Sequence, residues 1–482
     1  MRVLTDLEPK NVFSFFEDIC SIPHPSYKEE KISNYLVEFA KARGLEHYQD
    51  ELHNVIIIKE ASEGYEDVEP IILQGHMDMV CEKAPDCDKD MDEEGLDLLI
   101  DGDFISAKGT TLGGDDGIAV AYALAILDDD SLSHPRLEFV CTVCEEVGME
   151  GATGIDVSML KGKKLLNMDS EEEGVMLASC AGGCRADVKL PVERETVSGT
   201  KLTVSLSGLT GGHSGSEIDK GRGNANTLMS RLLRDASAPV AIASIDGGRK
   251  GRKDNAIPRE CTAQIIVAPD EAAAVKASIE QAAAEIAEEF KTSDPDIKLT
   301  VSEETDCSES AISAKDSARV IALIEALPNG IIRMSQEIDK LVETSLNLGV
   351  LKSDDAAVTL RYAVRSSVGV AKKSLKNQLV CIAGAFAAEV TFEGDYPAWE
   401  YKKDSKLRED MVRIFEEMYG KKPTVEAIHA GVECGLLSGK IEGLDCISMG
   451  PDMYDIHTTE ERLSISSAKR SYEYILRVIA CK

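Results

Sequence analysis

PIILQGHMDMV, residues 70–80, is an apolar run that leads directly into a histidine and an aspartate. Its first half reads as a buried strand, and so do NVIIIK at 54–59, RLEFVCTVCEE at 136–146 and KLLNMDS at 164–170. Two segments nearby have helical apolar spacing. KEEKISNYLVEFAKAR at 28–43 stops before Gly44, a natural C-cap, and GIAVAYALAILDD at 117–129 is strongly apolar throughout. Strands alternating with helices predict an α/β fold, a mainly parallel sheet covered on both faces.

Near position 188 the pattern changes. KLTVSLSG (201–208), a helix at 224–235, VAIASID (240–246), CTAQIIVA (261–268), a helix at 270–291 and IKLTVSEE (297–304) spell β-α-β-β-α-β. That order is the ferredoxin-like split unit. A second, less complete version follows: a helix near 316–327, strands near 342–350 and 356–365, a helix near 370–388 and a strand near 388–393. The last ninety residues return to strand–helix alternation. The simplest organisation is a core domain of residues 1–187 plus 393–482, with an α+β domain of ferredoxin-like units inserted at 188–392.

Size and composition agree with this division. A chain of 482 residues exceeds the roughly 250–300 at which single cores stop growing, so at least two domains are expected. With 43% hydrophobic and 29% charged residues, disordered and fibrous classes are excluded. Lys and Arg total 53 against 86 Asp and Glu, a net charge of −33. Such a surface repels phosphate backbones and anionic lipid, so neither nucleic acid nor a membrane is expected as a partner. The opening MRVLTDLEPK carries no signal-peptide core, and no run approaches the ~18 apolar residues of a membrane helix. A soluble, cytoplasmic protein is the expectation. Cys141 and Cys144 form a C-x-x-C inside a strand pattern, where residues three apart face opposite sides, so buried thiols are expected there and no metal.

Chemistry concentrates where the strands end. His76 and Asp78 are two apart in extended backbone and share a side, so His76 can ligate a metal while Asp78 hydrogen-bonds its far ring nitrogen. Glu145 and Glu146 close another strand and Asp169 a third, and open parallel sheets collect their sites beyond such ends. In GTTLGGDDGIAV (109–120), Asp115 and Asp116 stand directly before a helix. Helix capping explains them, and so does a bridging metal ligand; a phosphate loop does not, because two carboxylates would repel it. GPDMYDIHTTEE brings His457, between Gly, Pro and acidic residues. Two histidines, a shared Asp, one further Asp and one Glu suit two zinc-like ions.

These segments resemble the zinc-dependent metallopeptidase family that includes carboxypeptidase G, aminoacylase and the bacterial dipeptidases, and within it the aminoacyl-histidine dipeptidase branch. QGHMDMVCEK, TLGGDDG, CEEVG, NMDSE, GGHSG, HAGVECG and DIHTTE are similar to that branch's motifs, in order, across nearly the whole chain. The resemblance implies a di-zinc catalytic domain with an inserted lid. It implies that His76 and Asp169 hold one metal, Glu146 and His457 the other, and that Asp115 bridges, although Asp116 is the alternative at an Asp-Asp-Gly that departs from the family's usual pattern. Asp78 then orients His76, and Glu145 is the general base. In the lid, His213 would polarise the scissile carbonyl, from its own chain or from the partner of a homodimer, and Asn255 would contact substrate or simply form the turn before Pro258.

The activity implied is hydrolysis of dipeptides, Xaa-His or of broad specificity, by a water between two divalent ions, zinc first and cobalt or manganese as alternatives. Ions roughly 3.5–4 Å apart would lower the pKa of that water. A deacylase or aminopeptidase with the same metals is the rival, and a non-catalytic peptide-binding protein the remoter one. A dipeptidase needs a handle on the substrate's free carboxylate, and AVTLRYAVRSS offers Arg361 and Arg365 on one face. The family resemblance favours Arg365; the plain alternative is that either one pairs with a surface carboxylate.

Overall fold

The structure is a computed structural model that describes residues 2–247 and 255–482. The chain divides into two compact units. The first comprises Met1–Ser179, Tyr401–Ala427 and Val432–Lys482; the second comprises Cys180–Glu400 and Ile428–Gly431.

The first unit is built on an eight-stranded sheet. Its centre is four parallel strands in the order Leu137–Thr142, Ile71–His76, Lys164–Asn167 and Asp445–Ser448. Ile71–His76 is buried at every residue, as a strand covered on both faces must be. The helix Gly114–Asp128 packs on that strand and on the helix Lys10–Cys20, which is why its apolar character runs all round. The expected mainly parallel sheet is thus found at the centre, while Glu46–Gln49, Val55–Lys59 and Val175–Cys180 join antiparallel at the margins. A small four-stranded sheet (Met453–Tyr454, Arg462–Ser464, Phe104–Ala107, Leu98–Asp101) adds an element that periodicity does not mark. Cys141 lies in its strand, but Cys144 lies beyond the strand's end at φ 53°; both thiols are free and buried.

In the second unit every pairing is antiparallel. Arg194–Ser207, Ala241–Gly247, Cys261–Val267 and Lys298–Ile312 are its first four-strand set, arranged fourth, first, third, second, the ferredoxin-like order. The second set is complete as well. Its first strand is Gly182–Pro191, which precedes the whole first set in the chain and pairs with Ala357–Ser366 and Glu389–Tyr396. Val342–Ser353 completes it and meets Ala241–Gly247 edge to edge, so one sheet spans both sets. Because Gly182–Pro191 and Glu389–Tyr396 pair with each other, the unit runs from Cys180 to Glu400, wider than the span 188–392 that the change of pattern marks. No helix among the described residues is long and apolar enough to cross a membrane.

Asn224 ties the two sets together. Its Oδ1 caps the helix Ala225–Arg234 by accepting from the backbone N–H of Asn226 and Thr227, and its Nδ2 donates to Asn347 Oδ1 and to the Leu348 carbonyl. Losing a cap costs about 1 kcal/mol and each buried hydrogen bond a similar amount, so Asn224→Ala is expected to destabilise this unit by roughly 2–3 kcal/mol. The chain's one tryptophan, Trp399, is buried in the same unit. Urea unfolding followed by its fluorescence reads the shift, and an unchanged midpoint would remove Asn224 as the tie.

Candidate functional site

At the carboxyl ends of the parallel strands, side chains from five stretches of the first unit converge. His76 ends its strand with the ring buried. Its Nδ1 lies 3.0 Å from the main-chain oxygen of Asp78, with the Asp78 carboxylate 3.4 Å away. A carbonyl only accepts, so Nδ1 donates to it, which leaves Nε2 as the nitrogen that a cation could bind in place of a proton. Nε2 faces Asp115 Oδ1 at 3.1 Å and Asp169 Oδ1 at 3.6 Å. The second oxygen of Asp115 lies 3.1 Å from His457 Nε2, which is 2.8 Å from Glu146 Oε1. Asp115 therefore stands between two imidazoles with one oxygen towards each.

Local backbone explains these placements. Asp78 caps the turn after the neighbouring strand: its Oδ1 accepts from the Glu145 N–H and its Oδ2 from the Glu146 N–H and the Ser26 hydroxyl. Asp115 and Asp116 lie within the first turn of the helix Gly114–Asp128 but have non-helical backbone angles, and the bond between them is cis. Asp116 turns inward, where its Oδ2 accepts from the His76 N–H at 3.2 Å and its Oδ1 is buried without a hydrogen-bond partner. Glu461 holds the turn from the far end of the chain, its two oxygens accepting from the N–H groups of Leu112, Gly113 and Gly114.

The electrostatics are those of crowded carboxylates. Burial, then Asp169 and Asp115, push Asp116 up. Burial holds Asp169 at about 7 and raises Glu145, with Asp169, Glu433 and Glu146 adding to the rise. Hydrogen bonds to Asp115 and Glu146 lift His457 to about 10. A divalent cation would relieve this repulsion and take the place of the imidazole protons. The donor chemistry fits: His76, Asp115 and Glu146 offer ligand atoms within 4.8 Å of one another, as do His76, Asp116 and Asp169. The two sets disagree about which aspartate serves. Asp115 is the one with an oxygen on each histidine, whereas Asp116 spends an oxygen on a backbone N–H.

The remaining candidates lie in the second unit. His213 sits on the two-residue strand Gly212–His213, paired with Ala256–Ile257, and the Asn255 carbonyl accepts from the Ser214 N–H. A Cβ on Gly215 would fall 3.0 Å from His213 Cε1, 3.2 Å from Arg365 Nε and 2.4 Å from the His429 carbonyl, so a glycine lets these three groups gather. Arg361 is committed to Asp187 through two bonds of 2.7 and 2.6 Å. Arg365 has no carboxylate partner among the described residues: one nitrogen reaches Tyr396 Oη at 3.3 Å, and its Nε is buried without a partner. His429, a residue the motif reading left without a role, hydrogen-bonds Ser345 Oγ at 2.7 Å, and burial, then Arg365 and His213, depress it to about 3. Glu433 and Glu461 were missed too, because a buried carboxylate looks in sequence like any surface acid.

Comparison with known proteins finds relatives along nearly the whole chain. The model of Peptidase family M20/M25/M40 matches residues 72–480. The cytosol non-specific dipeptidase of Escherichia coli (strain K12) is 36% identical over 469 residues, covering 97% of this chain and 96% of that protein. The crystal structure of aminoacylhistidine dipeptidase from Vibrio alginolyticus superposes with a TM-score of 0.91 at 34% identity, over 99% of this chain and 98% of that one. Aminopeptidase PepT from Bacillus cereus shares the fold, with a TM-score of 0.56 at 16% identity over 98% of each chain. The chain belongs to Peptidase family M20/M25/M40.

Proposed function

We propose that this peptidase hydrolyses dipeptides, Xaa-His among a broad set, using two divalent cations at the strand ends of the first unit. The observation that carries the reading is Asp115, placed with one carboxylate oxygen 3.1 Å from each of two histidines. We assign His76 and Asp169 to one cation, His457 and Glu146 to the other, and Asp115 to both. Zinc suits this mixture of imidazole and carboxylate best, with cobalt or manganese as substitutes. When bound, the cations supply Lewis acidity for the scissile carbonyl and bring the pKa of a water from 15.7 towards ~7.

The chain's own groups do the rest. Asp78 fixes the His76 tautomer through its carbonyl and holds Glu145 through its carboxylate, so one residue registers both ligand and base. Glu145 takes the proton of the attacking water and returns it to the leaving amine. The inserted unit serves as the lid and supplies the substrate contacts His213, Asn255 and Arg365. Arg365 suits a free C-terminal carboxylate because its planar fork binds both oxygens and no acidic side chain among the described residues takes it. The resemblance to a cytosol non-specific dipeptidase supports the substrate class and a cytoplasmic setting.

Three outcomes are expected. Glu145→Gln keeps the metal content of wild type while kcat falls by roughly 10²–10⁴, whereas Glu146→Gln loses metal; equal metal loss in both variants would overturn the division of roles. Protein stripped of metal is inactive on a dipeptide panel and recovers on addition of zinc, cobalt or manganese singly, and activity that survives stripping contradicts the reading. Arg365→Ala raises KM for free dipeptides by about 10–100-fold, and wild type turns over C-terminally amidated dipeptides poorly. Equal cleavage of free and amidated dipeptides would replace the dipeptidase reading with a general aminopeptidase.

A further inference from the structure

A second layer of polar side chains lies beneath the candidate ligands. Gln74 and Asn167 are opposite each other on adjacent parallel strands, each two residues before a candidate ligand, His76 and Asp169. Side chains two apart on a strand share a face, so these amides occupy the pleat below. Thr142 ends the third strand of the group, three residues before Glu145. One charged group projects into this layer: Glu433, from the first turn of the helix Glu433–Lys440, with 0% of its surface exposed. Its Oε2 accepts from Gln74 Nε2 at 2.5 Å and from Thr142 Oγ at 2.7 Å, and Gln74 Oε1 accepts from Asn167 Nδ2 at 2.6 Å. Its Oε1 is buried with no hydrogen-bond partner.

Packing does not explain the charge. A glutamine of the same volume would accept the same two bonds through its amide oxygen, without the cost of a buried and half-satisfied carboxylate. What a glutamine cannot supply is negative charge, and the layer directly above is the one suited to divalent cations. Outer carboxylates strengthen metal sites by orienting the ligands; Glu433 would act one step further out, through Gln74 and Thr142 on the strands that lead to His76 and Glu145. We propose that Glu433 is a positioning residue of the two-cation centre, its buried carboxylate supplying outer negative charge to the ions while it ties the strand ends that carry their ligands. This rests on the two-cation reading above.

The test uses the full chain, stripped of metal and titrated with Zn²⁺ alone against a chromophoric chelator. Wild type is expected to take two ions per chain; fewer would overturn the two-cation reading and this inference with it. Given two ions, Glu433→Gln is expected to bind Zn²⁺ about 10–100-fold more weakly, with a metal-free thermal midpoint at or above that of wild type. Thr142→Val removes one bond of the layer and keeps the charge, so it is expected to lower the midpoint and leave Zn²⁺ affinity close to wild type. Wild-type affinity in Glu433→Gln would overturn the proposal, and so would equal weakening in both variants, which would leave Glu433 a packing group.

Discussion

Carboxylates brought together out of water repel one another, and the first unit of this peptidase is organised around that repulsion. Asp115, Asp116, Glu145, Asp169 and Glu433 gather at the ends of four parallel strands. Two like charges 4 Å apart cost about 4 kcal/mol even at an effective dielectric of ~20. By themselves, burial and mutual repulsion hold Asp169 at about 7 and Glu433 at about 8, while His457 is drawn up to about 10; a bound cation would draw the two carboxyls back to their charged form. No stretch of chain would adopt this arrangement for its own sake. Three of the four strands that carry it are buried at every residue, and the helix that begins at Gly114 is buried along nearly its whole length, so the surrounding core outweighs the local cost.

The same core sets distances that a flexible loop could not. His76 and Asp169 are fixed by the register of adjacent strands, Gln74 opposite Asn167. Glu145 and Glu146 follow a strand end but are held by Asp78 from the next strand. Asp115 and His457 are far apart in sequence, and Glu461, four residues after His457, closes the gap by gripping the turn before Asp115. The turns that carry Asp115 and Glu146 are thus each held by a carboxylate whose partner is backbone. Backbone partners do not move with side-chain rotamers, and sites of this kind need geometry good to about half an ångström.

That design also explains what could be read from the sequence. Alternating strand and helix patterns announced the α/β core and both ferredoxin-like sets, and polar residues at strand ends announced His76, Asp78, Glu145 and Asp169. The antiparallel margins were hidden, because a fully buried strand such as VIIIK carries no mark of its neighbour's direction. Gly182–Pro191 was hidden by topology: it belongs to the second set but comes before the first, so a left-to-right reading found that set incomplete. Arg361 and Arg365 share a face in sequence, and only the register that places Asp187 opposite Arg361 separates them. The hold of Asp78 and Glu461 on backbone N–H groups leaves no trace, since every residue but proline offers such a donor.

The inserted unit makes one sheet from two similar sets, and the way they join governs its edges. The strands that meet, Ala241–Gly247 and Val342–Ser353, are the second strand of each set, as a two-fold axis between separate copies would pair them. Joining there removes two edges at once. The edges left at the ends of the sheet are Lys298–Ile312, which carries four acidic residues in KLTVSEETDCSESAI, and Glu389–Tyr396, which carries three in EVTFEGDY. Charged side chains on an exposed edge oppose the addition of a further strand. Part of the chain's −33 charge therefore lies where the sheet would otherwise continue, with Lys201 paired to Glu304 and Glu309 at one end and Lys372 and Lys376 to Asp395 at the other.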